Sequence, residues 1–175
     1  MRKLCLLLLI TASLSTPAWG RSMIKGQVVD AETRKPIEGA AIHIYWGKPG
    51  SGPPGLAASG VQVEVAEDLT DGEGLFKVPQ YSTLFKHYYM AIYKKGYVCW
   101  SSRKIFPTYE ERKGFKLKNG MVIKLERFKE GYSRDDHANF TISSKIGTGG
   151  PHLFNAAIKT EEELVTEIFR RNRGK

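Results

Sequence analysis

Cysteine is scarce in this 175-residue chain, and its scarcity limits how the fold can be held together. Only Cys5 and Cys99 are present, and Cys5 lies in an N-terminal segment that we expect to be removed. A single remaining cysteine cannot form an internal disulfide, so the folded chain has to depend on packing. Cys99 lies between Val98 and Trp100 in an apolar run, which predicts a buried small side chain rather than a nucleophile.

The sequence also lacks an apolar run long enough to cross a membrane as a helix. The N-terminal run Leu4–Ile10 is well short of the roughly 20 residues that a span needs. It follows two basic residues, and the small residues Ala18 and Gly20 lie at the spacing of a signal peptidase site. We therefore predict that residues 1–20 are a signal peptide and that the protein is periplasmic or extracellular. The alternative is an N-terminal membrane anchor, and Cys5 lies too far ahead of the cleavage site to carry a lipid.

Acidic residues are outnumbered, which favours anionic partners. The formal net charge is +9, and removing Arg2 and Lys3 with the signal segment leaves 25 of the 27 basic residues against 18 acidic ones, or +7. Such an excess suits lipid headgroups, acidic polysaccharide or nucleic acid, and export makes nucleic acid the least suitable of these. The basic residues are scattered apart from a C-terminal cluster, Arg170, Arg171, Arg173 and Lys175.

Recognisable catalytic patterns are missing as well. A zinc carboxypeptidase needs a closely spaced histidine and glutamate, a distant second histidine and a general-base glutamate. No histidine of this chain has a glutamate at that ligand spacing, and no phosphate-binding glycine loop or nucleophile elbow occurs. The four histidines are His43, His87, His137 and His152. We expect no enzymatic activity, and keep a metal-dependent or hydrolytic enzyme of unrecognised type as the weakest hypothesis.

Two groups of acidic side chains are candidates for metal ligands, but neither pattern is strong. In the run Asp135–His137 the residues are adjacent, and adjacent residues rarely converge on one ion, so we expect a solvated loop. Asp68, Asp71 and Glu73 lack the dense oxygen spacing of a calcium loop, and a turn-stabilising role already accounts for Asp71. We therefore predict no metal site and no cofactor.

Between Met23 and about Phe128 the sequence consists of short alternating stretches separated by turn residues. This pattern is typical of a β-sandwich, in which each strand buries one face against the opposite sheet. The predicted strands lie within residues 24–29, 40–46, 61–65, 76–78, 89–94, 97–100 and 121–125. The glycine- and proline-rich segment 47–60 cannot pair as a central strand, and we expect an exposed loop there.

The C-terminal part of the chain is predicted to be a polar linker followed by a helix. Thr160 and Glu163 have the spacing of a capping box, which predicts that the helix begins near Thr160. An apolar stripe follows, and we expect it to pack on the sandwich rather than on a partner or a membrane surface. Its members are Leu164, Val165, Ile168 and Phe169. The predicted organisation is a signal peptide over 1–20, a sandwich over 21–128 and this extension over 129–175.

Three motifs occur in a fixed order within the predicted sandwich. The first contains Gly26, Asp30, Pro36, Gly39 and Ala40, the second contains Thr70, Asp71, Gly74 and Phe76, and the third contains Gly96 and Tyr97. Together they resemble the carboxypeptidase regulatory-like domain family. The resemblance implies a seven-stranded antiparallel Greek-key sandwich of the transthyretin (prealbumin) type. In that family these are scaffold residues, so no catalytic role is implied.

Aromatic residues are numerous and suggest a ligand-binding face. Tyr97 and Trp46 are expected in the core, whereas Tyr89 and Tyr93 lie on the strand face opposite Met90. We predict that Tyr89, Tyr93 and Tyr45 form an exposed face that could stack on sugar rings or prolines. The main hypothesis is a non-enzymatic exported module that contacts a protein or an envelope component such as a polysaccharide. The alternative is a carbohydrate-binding module that uses exposed tyrosines.

Overall fold

The computed structural model describes residues 22–48, 61–81, 87–145 and 152–173. They form nine strands and two helices. The strands are β1 (Met23–Asp30), β2 (Ala41–Lys48), β3 (Val61–Leu69), β4 (Leu75–Pro79), β5 (His87–Tyr93), β6 (Trp100–Ser101), β7 (Lys104–Ile105), β8 (Glu110–Glu111) and β9 (Met121–Leu125). The helices are α1 (Arg134–Ser144) and α2 (His152–Arg173).

Seven of these strands build the two sheets of a β-sandwich, which confirms the predicted fold class. One sheet has three strands in the order β4-β1-β9, and the other has four in the order β3-β2-β5-β6. β7 and β8 form a separate small hairpin. One pair departs from the antiparallel arrangement, because β9 runs parallel to β1. The strand predicted over 97–100 is shorter than expected, because β6 contains only Trp100 and Ser101.

The main core lies between the two sheets and follows the alternation of the sequence. Alternate residues of β1 point inward, from Ile24 through Gly26 to Val28, and Gly26 lies against the Phe76 ring, so that a side chain there would clash. β2 and β9 contribute in the same way. Their buried inward residues are Ile42, Ile44, Trp46, Met121, Ile123 and Leu125. Burial of these apolar side chains supplies the main stabilisation of the sandwich.

The turn motif of residues 70–76 forms as its sequence predicts. The Asp71 Oδ1 atom accepts hydrogen bonds from the backbone N–H groups of Glu73 and Leu75, both at 2.9 Å. Gly74 has a φ of 70°, a left-handed conformation that favours glycine. Phe76 is buried in the main core. A local side chain and a glycine therefore reverse the chain between β3 and β4.

Asp30 ties the first and third motifs together. Its Oδ1 atom accepts from the backbone N–H groups of Glu32 and Thr33, and its Oδ2 atom accepts from the Tyr97 hydroxyl at 3.0 Å. Arg127 lies 2.8 Å from the same carboxylate. The hydrogen bond from Thr33 and then that from Tyr97 lower the pKa of Asp30 to about 2, against the opposing effect of burial.

Helix α2 is longer than its capping box predicts. It begins at His152 rather than near Thr160, which lies inside it. Its first amides are bound by a strand residue: the Glu67 carboxylate on β3 accepts from the N–H groups of Leu153 at 3.1 Å and Phe154 at 3.0 Å. A carboxylate at this position satisfies two unpaired donors and complements the helix dipole.

Two further sequence predictions need correction. The expected polar loop around Asp135 is wrong, because those residues lie in α1, where Ser133 caps the helix and His137 is buried. The loop predicted over 47–60 is wrong for its first two residues, Gly47 and Lys48, which lie in β2. β2 continues through a register shift at Trp46/Gly47 to Lys48, as β-bulges allow, and residues 49–60 lie outside the described part of the chain.

Candidate interaction surface

The predicted tyrosine face lies on the outer side of the four-stranded sheet, but most of it is covered. Tyr45 and Tyr89 are cross-strand partners on β2 and β5, and Tyr93 is further along β5. Tyr93 is only 2% exposed and Tyr45 5%, so the expectation that these two rings are exposed is wrong. Tyr89 is half-buried, and the Arg103 guanidinium lies 4.7 Å from its ring centroid.

The two helices cover this sheet and create a second core. α2 contacts β2, β3 and β5, and α1 packs against α2. Small side chains on the sheet, such as Ala41 and Ala91, lie against large ones from the helices, such as Phe140 and Phe154. The remaining members of this second core are Tyr93, Val98, Cys99, Phe106 and Ile158. α2 packs on the sheet through Phe154 and Ile158, which precede the predicted apolar stripe. Of that stripe, Val165 is buried, Leu164 and Ile168 are half-buried and Phe169 is exposed, so the expected packing is only partly confirmed.

Tyr93 belongs to a buried polar cluster under these helices. Its hydroxyl donates to the Glu161 Oε1 atom at 2.6 Å, and the Arg134 Nη2 atom lies 3.2 Å from the same oxygen. Burial, followed by the hydrogen bond to Glu161, raises the pKa of the Tyr93 hydroxyl. The cluster fixes α1 and α2 to β5, and a neutral phenol engaged in this way is a structural donor.

His137 and Cys99 form a second buried contact below α1. The His137 Nε2 atom accepts from the Cys99 backbone N–H at 2.9 Å, so the neutral ring carries its hydrogen on Nδ1. Burial lowers the pKa of His137. Burial also raises the pKa of the Cys99 thiol to about 12, which keeps it protonated and unreactive at neutral pH. The predicted burial of Cys99 is confirmed.

The outer side of the three-stranded sheet remains open to solvent. Six of its outward residues form what we call the basic sheet face: Lys25, Gln27, Leu75, Lys77, Val122 and Lys124. Leu75 is 43% exposed and Val122 53%, and the three lysines are exposed too. No outward position of β1, β4 or β9 carries an acidic residue. Sequence alternation predicted which residues point outward, but not that this face stays uncovered.

Three shallow grooves join across this sheet. The first, about 420 Å³, lies along β4 and shares Lys25 and Leu75 with a second groove of about 350 Å³. The second shares Gly120 and Val122 with a third of about 440 Å³ beside β9. The third is also lined by Lys116 and Lys118. The grooves form a continuous track with lysines along its length.

Two carboxylates lie at the β4 end of this track, and both already accept backbone hydrogen bonds. The Asp68 Oδ2 atom accepts from the Lys77 N–H at 2.6 Å, and its Oδ1 atom accepts from the Leu69 N–H. Asp71 accepts the two turn hydrogen bonds described above. Within the described ranges, no group of three or more histidine, cysteine or acidic residues is arranged to hold a metal ion. The described helices include none with the length and apolarity to cross a membrane.

Comparisons with known proteins yield distant structural neighbours. No family model matches the chain, and no curated protein matches it. Among solved structures, 3-chlorocatechol 1,2-dioxygenase from Rhodococcus opacus 1CP is 14% identical with a TM-score of 0.36, covering 61% of this chain and 59% of its own. A streptococcal ancillary pilin is 14% identical with a TM-score of 0.29, and the match covers 62% of this chain and 30% of the pilin. A 9R-lipoxygenase from Cyanothece PCC8801 is 12% identical with a TM-score of 0.34, and the match covers 68% of this chain and 22% of the lipoxygenase.

Proposed function

We propose that this chain is an exported, non-enzymatic module that binds an anionic envelope polysaccharide on the basic sheet face. Export is supported by the signal-type segment at residues 1–20. The three motifs support a carboxypeptidase regulatory-like scaffold, a family in which such modules commonly make protein or carbohydrate contacts. The absence of recognisable catalytic patterns from the sequence supports a binding role.

A like-charge pair on the open sheet is the observation that carries the proposal. Lys25 and Lys77 are directly opposite each other on β1 and β4. Like charges at opposed strand positions destabilise a sheet. The outward positions of β1, β4 and β9 hold no acidic residue, and Asp68 beside β4 already accepts two backbone hydrogen bonds. A negatively charged ligand lying across both lysines would remove this repulsion. The pair is therefore more favourable with such a ligand bound than without it.

The shape of the surface favours a linear ligand. The groove track crosses all three strands, and Lys77, Lys25 and Lys118 line successive parts of it. Neighbouring strands lie about 4.8 Å apart, so charges on them can contact successive units of a chain. Exposed Leu75 and Val122 between the lysines offer apolar contact for sugar rings. An acidic polysaccharide combines these features, and an acidic protein is the competing occupant.

The test compares two triple variants of equal charge change. Lys25→Gln/Lys77→Gln/Lys124→Gln removes the cations of the basic sheet face, and Lys35→Gln/Lys95→Gln/Lys159→Gln removes three others. Binding to polygalacturonate is measured by calorimetry at low ionic strength. We expect at least a tenfold loss of affinity for the first variant and less than twofold for the second, and weaker binding by the unmodified protein as salt screens the charges.

Three outcomes would contradict the proposal. Equal losses in both variants would show that only net charge matters. Equal binding of neutral dextran would show that the lysines do not determine binding. Binding of poly-glutamate without binding of polygalacturonate or alginate would replace the polysaccharide with an acidic protein. Urea unfolding of both variants serves as the folding control, because exposed substitutions of this kind change stability little.

A further inference from the structure

A small pocket opens where the two sheets meet at their β6 and β9 edges. Its volume is about 250 Å³. Val98, Phe106 and Leu125 form an apolar floor, and all three are buried. Arg112 and Lys124 are the cationic side chains in its wall. The pocket is distinct from the groove track, although Lys124 also belongs to the basic sheet face.

Arg112 is held in place by the protein but has no acidic partner among the described residues. Its Nε–H donates to the Ser101 carbonyl at 2.7 Å, and its guanidinium lies 4.7 Å from the Trp100 ring centroid. The side chain is half-buried, and burial lowers its pKa. No described carboxylate lies within 4.0 Å of it. A partly desolvated cation without a counter-charge is unfavourable, so this arrangement suits an incoming anion.

The other charged residues of the pocket leave it with an excess of positive charge. Glu126 lines the pocket, but its Oε1 atom already accepts from Lys129 at 2.5 Å and from the Tyr132 hydroxyl at 2.8 Å. Those hydrogen bonds lower the pKa of Glu126 despite the opposing effect of its burial. Lys124 is exposed and forms no ion pair with any described residue. Two cations are therefore available, whereas the one carboxylate is already neutralised.

From this geometry, we propose that the pocket binds a small organic carboxylate with an apolar body. The guanidinium and the ammonium receive the carboxylate, since arginine forms strong charge-assisted hydrogen bonds with this group. The apolar floor receives the body of the ligand. Pockets for drug-sized ligands measure roughly 300–1,000 Å³, so this smaller one limits its occupant to a compact acid.

The chain offers a matched control for Arg112. Arg103 also stacks on an aromatic ring, with its guanidinium 4.7 Å from the Tyr89 centroid, but it lines a different pocket, together with Phe140 and Ser144. Replacing either arginine by glutamine removes one charge and one cation–π contact. Only Arg112→Gln removes a cation from the proposed site.

Benzoate is the probe, with its binding followed by chemical-shift changes of the Trp100 indole. We expect saturable binding that weakens at least tenfold in Arg112→Gln and several-fold in Lys124→Gln, with less than a twofold change in Arg103→Gln. Benzyl alcohol lacks the charge and should not bind. Acetate lacks the body and should bind more weakly than benzoate, as should glucuronate, whose body is polar.

The structural role of Arg112 requires a second variant. Arg112→Lys keeps the charge but loses the planar donor set, and unfolding in urea establishes whether each variant is folded. If Arg112→Gln is unfolded, the decision rests on Lys124→Gln, which alters an exposed residue. Equal benzoate binding by Lys124→Gln, Arg103→Gln and the unmodified protein, or equal binding of benzyl alcohol, would overturn the assignment. Polygalacturonate binding by Arg112→Gln is measured as well. Because Arg112 lies outside the basic sheet face, that result tests the proposed function separately from the pocket.

Discussion

The outer faces of the two sheets carry different residues and have different surroundings. On the four-stranded sheet, Ala41 and Ala91 are fully buried beneath α1 and α2. On the three-stranded sheet, Leu75 and Val122 remain about half exposed among lysines. Small outward residues let a helix approach closely, whereas paired lysines make burial costly. The difference indicates that the covered face helps to maintain the fold, whereas the described helices leave the other face open.

The largest expected effect comes from removing a side chain that holds the helices on the covered face. Phe154→Ala deletes a fully buried ring of the second core, and we expect a loss of about 3–5 kcal/mol in the free energy of unfolding. Leu153→Ala is the control, because Leu153 is the neighbouring helical residue and is 40% exposed. Urea unfolding that gives equal losses for both variants would show that α2 is not anchored through this ring.

An intermediate effect is expected from acidification, which should lower the free energy of unfolding through a buried histidine of the covered face. Burial lowers the pKa of His137 from its ordinary 6.5; the charge of Glu161 acts against this, and that of Arg134 adds to it. Below about pH 6.5 the unfolded chain therefore binds a proton that the folded chain does not, and stability falls as pH falls. The loss from this group is at most about 1.4 kcal/mol at about pH 5.5.

The pH effect has a specific control in His137→Gln. Glutamine can still accept from the Cys99 N–H, but it does not titrate. The difference in unfolding free energy between about pH 7.5 and pH 5.5 should therefore be smaller in the variant than in the unmodified protein. An unchanged difference would assign the pH dependence to other groups, such as the carboxylates.

The smallest effect is expected on the open face. Leu75→Ser and Val122→Ser alter half-exposed side chains, and each should change the free energy of unfolding by less than about 1 kcal/mol. Thermal unfolding measures this directly. A loss approaching that of Phe154→Ala would mean that the open face is packed against something in solution, such as a second copy of the chain.

Sequence reasoning succeeded where the determining contacts are local. The turn at Asp71 depends on residues no more than four positions apart. Alternation identified the core-facing residues of β1, β2, β4, β5 and β9, but it was wrong for β3, where Ala66 lies in the main core and Val65 lies opposite Tyr45 on the outer side. It could not decide what lies over an outward residue. Tyr93 points away from the main core, as predicted, but the helices that bury it come from a distant part of the chain. Exposure of the predicted face therefore could not be inferred from strand periodicity.

The start of α2 illustrates the same limit. Thr160 and Glu163 have the spacing of a cap, but the first helical amides are bound by Glu67, which is 86 positions from Leu153. A non-local cap leaves no pattern in the adjacent sequence. α1 was missed for a different reason, because its polar sequence lacks a clear apolar stripe and resembles a loop.

The position of Glu67 in the sequence also bears on the order in which the cap and the helix are made. Because synthesis runs from the N-terminus, β3 leaves the ribosome before α2. The residue that accepts from the first amides of α2 is therefore made before the helix that it caps. Most helical stability in proteins comes from tertiary packing of an apolar face, so a free peptide of residues 152–173 should be less helical than the same segment in the folded chain.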